Sequence, residues 1–167
     1  MRRIILIAHN LRSCHNVGSL LRTCDGLGVE RVYLTGYTPY PMSADDARLP
    51  HVAKKVAAQI HKTALSAENF VEWQHLEKVM DAFAELKAAG FTIAALEQAE
   101  DSIKLPCFKP PDKIALLVGR EVEGIEPEIL AACELTLEIP MSGRKESFNV
   151  AAAAAMALYH CRFFDKL

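Results

Sequence analysis

The stretch ESFNVAAAAAMALY, residues 146–159, sets Ser147 and Asn149 directly ahead of a run of five alanines. Alanine is the strongest helix former, so Ala151 to Leu158 is expected to be helical. A helix with almost no side chains lets another backbone approach closely. The polar residues at its mouth either cap the helix or hold something against its start, and one of Ser147 and Asn149 can serve as N-cap. The strand-like run LTLEIP (135–140) lies just upstream, joined to the helix by the loop MSGRKESFN.

Working outward, the same alternation of strand and helix covers the chain. IILIA (4–8) is a short β-branched run of the kind found in buried parallel strands. From Asn16 the apolar positions Val17, Leu20, Leu21, Cys24 and Leu27 keep helical spacing, and Gly28 is placed to end that helix. RVYLTG (31–36) follows, completing a βαβ unit with a right-handed crossover. Residues 37–50, with three prolines, read as a long loop, and 51–69 as helix-prone at the start. FVEWQ (70–74) is a candidate short strand. HLEKVMDAFAELKAAG (75–90) is an amphipathic helix with Leu76, Val79, Met80, Phe83 and Leu86 as its stripe. FTIAAL (91–96) and KIALLVG (113–119) are strands separated by loop, and EPEILAAC (126–133) is a short helix opened by Pro127. The expected fold class is α/β, with about six mostly parallel strands and helices on both faces, in one domain spanning 1–167.

Composition narrows the function. Half the residues are hydrophobic, which excludes disorder, and no apolar run approaches the ~20 residues of a membrane span. The apolar part of MRRIILIAHN is too short for a signal peptide, so a cytoplasmic location is expected. Cys14, Cys24, Cys107, Cys133 and Cys161 form no C-x-x-C pair, and the six histidines form no ligand motif; reduced thiols and no metal are expected. The formal net charge of −2 gives no sign of a polyanion binder.

Ligands of open α/β sheets bind at the carboxyl ends of strands. Three such ends carry polar residues and glycines: HNLRSCHNVGSLLR, VGREVEGI and IPMSGRKESFN. They hold no G-x-G-x-x-G, no P-loop and no G-x-S-x-G elbow, which disfavours the common nucleotide and hydrolase chemistries. Taken singly, Asn16 reads as a cap, Arg22 as a surface charge and Glu121 as a turn glutamate.

Together the three segments resemble the motifs of the SpoU/TrmH branch of the SPOUT RNA methyltransferases. The first is NVGSLLR (Asn16 to Arg22), the second GREVEG (Gly119 to Gly124), the third IPMSGRKESFNVAAAAA (Ile139 to Ala155). Order, spacing and placement after strands all match. Residues 37–90 match only in outline, and Phe148 stands where Leu or Met is commoner. The resemblance implies an α/β knot: a C-terminal segment threaded through a loop as a deep trefoil, which periodicity cannot reveal. It implies S-adenosylmethionine as cofactor, held by Leu96, Gly119, Gly124, Ile139, Met141, Ser147, Phe148 and Asn149. It implies methyl transfer to a ribose 2′-hydroxyl of tRNA or rRNA, with Arg22, Asn16, Glu121, Ser147 and Asn149 as the catalytic set, Asn16 and Glu121 orienting Arg22. Arg12, Arg22, Arg144 and Lys145 become the RNA contacts, and a homodimer is expected. The chain resembles minimal, catalytic-domain-only members. The alternatives are a SPOUT base methyltransferase, against which NVGSLLR argues, and a catalytically silent RNA-binding dimer, against which the intact polar set argues.

Overall fold

Apolar side chains alternate between two covered faces along the central strands, and that alternation builds the core. In a computed structural model, which describes residues 1–121 and 123–166, seven strands form one sheet. They are β1 (Arg3–His9), β2 (Arg31–Thr35), β3 (Trp73–Leu76), β4 (Thr92–Leu96), β5 (Ile103–Lys104), β6 (Lys113–Val118) and β7 (Leu135–Glu138). The spatial order is β3-β2-β1-β6-β4-β7-β5, and every pairing is parallel. On one face Ile4, Leu6, Leu116 and Leu137 pack with residues of helices α1 (Cys14–Gly26), α2 (Pro50–Ala64) and α5 (Val150–Phe163). On the other, Ile5, Ile7, Ile93 and Leu117 pack with α3 (Val79–Ala88) and α4 (Pro127–Ala131).

Strand β6 enters between β1 and β4, pairing Leu6 with Leu116 and Ala94 with Leu116. The carboxyl ends of β4, β6 and β7 therefore lie side by side. After β7 the chain turns back across these ends, and α5 packs on α1 and on the sheet through Ala151, Ala154, Ala157 and Leu158, all buried. The small residues permit this close approach. Arg162 then fastens α5, donating to the carbonyls of Leu27 (2.8 Å), Gly28 (2.6 Å) and Arg2 (2.6 Å).

The first helix owes its glycine to packing. A Cβ on Gly18 would collide with the carbonyl of Ile60 and the hydroxyl of Thr63, and stand 2.9 Å from the amide of Ala64. The glycine of NVGSLLR thus lets α1 lie directly on the backbone of α2.

Several sequence-based boundaries shift. The sheet has seven strands rather than about six, because β5 is a two-residue exposed edge strand with no periodicity to detect. The strand expected at 70–74 lies at Trp73–Leu76, where pairing with β2 continues from Val32↔Trp73 to Thr35↔Leu76. Leu76 is consequently a strand residue, and the helix expected from 75 starts at Val79, with Met80 on its exposed side and Ala82 buried. Helix α1 begins two residues before Asn16, since Ser13 is its cap. Helix α5 runs on to Phe163, well past Leu158.

Candidate active site

Ser13 fixes the start of α1: its Oγ accepts the amide N–H of Asn16 at 3.2 Å. With the cap supplied by Ser13, the Asn16 side chain is left to reach outward from the first turn. Its Nδ2 donates to Glu121 Oε1 at 3.1 Å, and its Oδ1 accepts from Asn149 Nδ2 at 3.1 Å. Asn149 in turn caps α5, its Oδ1 accepting the Ala151 N–H at 3.0 Å. One continuous chain of hydrogen bonds therefore joins the segment after β1, the segment after β6 and the mouth of the alanine helix. Asn149 both caps and holds, while Ser147 is exposed and does not cap.

Beside this chain lies a cavity of about 510 Å³, within the ~300–1,000 Å³ range of small-molecule sites. Its floor is the ends of β4, β6 and β7, and its lining includes Leu96, Gly119, Ile139, Met141 and Phe148. Gly124, Glu121, Ser147 and Asn149 border it too, so every expected cofactor residue lines one cavity. Gly119 is demanded by space and Gly124 by its backbone conformation. A Cβ at Gly119 would stand 2.5 Å from Ile125 Cγ1, and one at Gly124 would stand 2.5 Å from Glu97 Oε2. Gly124 also has φ +72°, a left-handed conformation that favours glycine.

Two lining residues escaped the sequence reading. Glu97, directly after β4, accepts the amide N–H of Ile125 at 3.1 Å and so anchors the GREVEG loop. Gln98 donates to the carbonyl of Glu146 at 2.7 Å, tying the loop ahead of α5 across the cavity. Their only sequence signal is an acidic and an amide residue at a strand's carboxyl end. A second missed group sits at the end of β1. Asn10 Nδ2 donates to Glu126 Oε1 at 3.0 Å, Arg120 pairs with the same carboxylate, and His9 Nδ1 meets Thr35 Oγ1 at 2.8 Å. Burial holds the His9 pKa below the ordinary imidazole value, Glu126 opposing and Arg120 adding to the shift.

Among the described residues, none of the expected basic residues joins the hydrogen-bond chain of Glu121, Asn16 and Asn149. Arg22 is exposed and, among the described residues, makes no hydrogen bond to Asn16 or Glu121. Six residues along the helix place it about 240° around the axis from Asn16. Arg12 pairs with Glu123 at 3.0 Å, across the motif loops. Arg144 and Lys145 are exposed on the loop before α5. The cysteines are free, with burial pushing the Cys161 thiol up to about 12 and Cys133 to about 11. Among the described residues no three His, Cys, Asp or Glu side chains gather as a metal site, and no helix is long and apolar enough to cross a membrane.

Three polar motif segments meeting beside the joined ends of β4, β6 and β7 give this site its character. The sequence profile of the SpoU rRNA Methylase family matches residues 3–159. The chain belongs to that family. Relatives include the tRNA (guanosine(18)-2′-O)-methyltransferase of Aquifex aeolicus, 28% identical over 162 residues, covering 95% of this chain and 68% of that enzyme. The 23S rRNA (guanosine-2′-O-)-methyltransferase RlmB of Neisseria meningitidis is 29% identical over 159 residues, covering 95% of this chain and 58% of that enzyme. The AdoMet-bound rRNA methyltransferase of Sinorhizobium meliloti superposes with TM-score 0.80 at 20% identity, covering 98% of this chain and 57% of its own. That last likeness concerns the fold. This family member thus spans somewhat over half to two thirds of the length of these relatives.

Proposed function

We propose that this SpoU-family chain is an S-adenosylmethionine-dependent methyltransferase that modifies a ribose 2′-hydroxyl of tRNA or rRNA. One observation carries the proposal: the hydrogen-bond chain Glu121–Asn16–Asn149, which unites all three motifs at the rim of the cavity. The cavity suits the cofactor in size and in its mixture of apolar walls, strand-end backbone and two glycines that admit a close ligand. The cofactor would supply an electrophilic methyl group on a sulfonium.

The protein's own residues then have defined tasks. Leu96, Ile139, Met141 and Phe148 exclude water from the cavity and sandwich an apolar ring system. Gly119 and Gly124 bring backbone amides and carbonyls to the ligand. Asn16 and Asn149 keep Glu121 fixed at the rim. Ser147, exposed beside them, is free to bond the ligand. The Arg22 guanidinium is a cation with five N–H donors and no acceptor, so its task is electrostatic: it binds phosphate and stabilises the forming 2′-alkoxide.

Arg22 lies away from Asn16 on its own helix, so the site is completed by a second copy of the chain, in line with a homodimer. Exposed Arg12, Arg144 and Lys145 are assigned to RNA phosphates. A C-terminal trefoil knot is part of the proposal, and two features support it: β6 is inserted between β1 and β4, and Asn149, after β7, returns to Asn16 of α1. A single catalytic domain acting on RNA in the cytoplasm completes the proposal.

The test is transfer of tritiated methyl from S-adenosylmethionine to unmodified small RNA and unmodified ribosomal RNA, followed by nucleoside analysis. Label in a 2′-O-methylnucleoside is expected. Label in a base overturns the ribose assignment. Cofactor binding without transfer to either RNA class points to a silent RNA-binding dimer, and no cofactor binding removes the proposal altogether.

A further inference from the structure

Tyr37 is a large aromatic side chain 51% exposed to solvent, yet its backbone is held from both sides. Its amide N–H donates to Oδ1 of Asn10 at 3.2 Å. Asn10 is nearly buried and holds a left-handed φ of 55°. On the other side Thr38 is 1% exposed; its Oγ1 donates to the carbonyl of Ala8 at 3.0 Å and accepts the Leu11 N–H at 3.0 Å. The preceding Gly36 sits so close to Asn10 Oδ1 that a Cβ there would collide with it. Buried polar groups satisfied in this way resist movement. An exposed ring thus stands on a rigid base between two buried polar residues.

Its position is equally specific. The Arg12 guanidinium lies against the Tyr37 phenol and the Glu123 carboxylate, which together raise its pKa above the ordinary value, Tyr37 most. Glu123 belongs to the loop whose Glu121 holds Asn16. Tyr37 and Arg12 therefore stand beside the loop that carries Glu121, outside the cavity lining. Other exposed aromatics lie elsewhere: Phe70 beyond α2, Tyr159 on α5, and Phe148 in the cavity wall. A formal net charge of −2 gives the chain no broad positive field, so short-range contacts such as stacking add to its few phosphate contacts.

We infer that Tyr37 is a stacking platform for an unpaired base of the RNA substrate, next to the nucleotide that is methylated, with Arg12 beside it as a phosphate contact. The inference rests on the RNA-methyltransferase function proposed above. It narrows the substrate to RNA whose target lies in a single-stranded loop, bulge or opened stem, where a base face is free. Every base offers such a face, so Tyr37 selects for strand opening and not for base identity.

The experiment compares wild type with Tyr37→Ala, Tyr37→Trp and Tyr37→Leu. Methyl-transfer kinetics use unmodified small RNA and unmodified ribosomal RNA. Stacking is read from the fluorescence of a single-stranded RNA 12-mer carrying 2-aminopurine, and cofactor affinity from calorimetry. Tyr37→Ala is expected to raise the RNA KM about tenfold, leave cofactor affinity within about twofold, and abolish the fluorescence quenching seen with wild type. Tyr37→Trp should restore both, and Tyr37→Leu neither. Arg12→Ala should reduce the salt dependence of RNA binding by about one phosphate. An active wild type whose Tyr37→Ala variant keeps its KM and its quenching overturns the inference while the enzymatic function stands. Rescue by leucine equal to that by tryptophan overturns stacking. A wild type that neither methylates nor binds RNA removes the function and the inference together.

Discussion

Asn149 offers a test in which stability and function separate. Its two side-chain atoms serve different partners: Oδ1 caps α5 through Ala151, and Nδ2 holds Asn16. Asn149→Ala removes both. Loss of an N-cap costs about 1 kcal/mol, and the exposed second hydrogen bond adds about 0.5 kcal/mol, for about 1.5 kcal/mol in all. At roughly 2–4 °C per kcal/mol for a chain of this size, the melting temperature should fall by about 3–6 °C. Asn149→Asp keeps the capping oxygen and places a negative charge at a helix N-terminus, which is favourable by about 0.3–1 kcal/mol. It also replaces the donor facing Asn16 Oδ1 with an acceptor. Rotating the Asn16 amide to suit the new carboxylate would turn its oxygen toward Glu121, so one of the two contacts is lost either way. Stability should therefore be unchanged within about 0.5 kcal/mol, while methyl transfer falls at least about tenfold through the loosened rim. Thermal and urea unfolding measured beside turnover decides the matter. An Asp variant as unstable as the Ala variant would refute the capping half of the reasoning, and an Asp variant with full turnover would refute the positioning half.

Gly18→Ala should destabilise the fold by about 2 kcal/mol, because overpacking against the α2 backbone costs about 3 kcal/mol and helix propensity returns about 1 kcal/mol; an unchanged urea midpoint would contradict the close α1–α2 contact. Arg22→Ala should abolish methyl transfer and leave calorimetric cofactor binding within about twofold, and near-normal turnover would rule out its assignment. His9 is held neutral by burial, so the unfolded chain binds the extra proton below the ordinary imidazole pKa of ~6.5. Stability should accordingly fall as pH drops from about 7 toward 5, and His9→Gln should flatten that slope in urea titrations. Labelling with a thiol reagent should modify exposed Cys107 quickly and buried Cys24 and Cys161 only on unfolding.

The central strands were legible because both their faces are buried. IILIA, RVYLT and KIALLV carry unbroken apolar runs, and no other environment suits them. The edge strands were not: β5 has two exposed residues, and β3 carries Gln74 and His75 where pairing, not patterning, defines the strand. The order of strands, with β6 between β1 and β4, depends on contacts between distant segments that periodicity does not record. At the site, the motif residues were legible through the resemblance of three segments to SpoU/TrmH motifs, and Asn16 does touch both Glu121 and Asn149. Arg22 shows the limit, since spacing along a helix fixed its angle from Asn16 but not what it faces. Glu97, Asn10 and Glu126 act through loops folded against one another, so nothing adjacent in sequence marks them.

The place of α5 after every strand in the chain has a consequence for biosynthesis. Ile139, Met141, Ser147, Phe148 and Asn149 all follow the last strand, and they line the cavity in a fold where α5 is seated on α1 and fastened by Arg162. A nascent chain released as far as β7 would already own its entire sheet and yet have no binding cavity. Full ligand binding therefore begins after residue 162 has left the ribosome and found carbonyls laid down at residues 2, 27 and 28. Occupancy of the site thereby reports that the chain has been made and closed through residue 162, and truncation before Arg162 should yield a protein with strands but weakened binding.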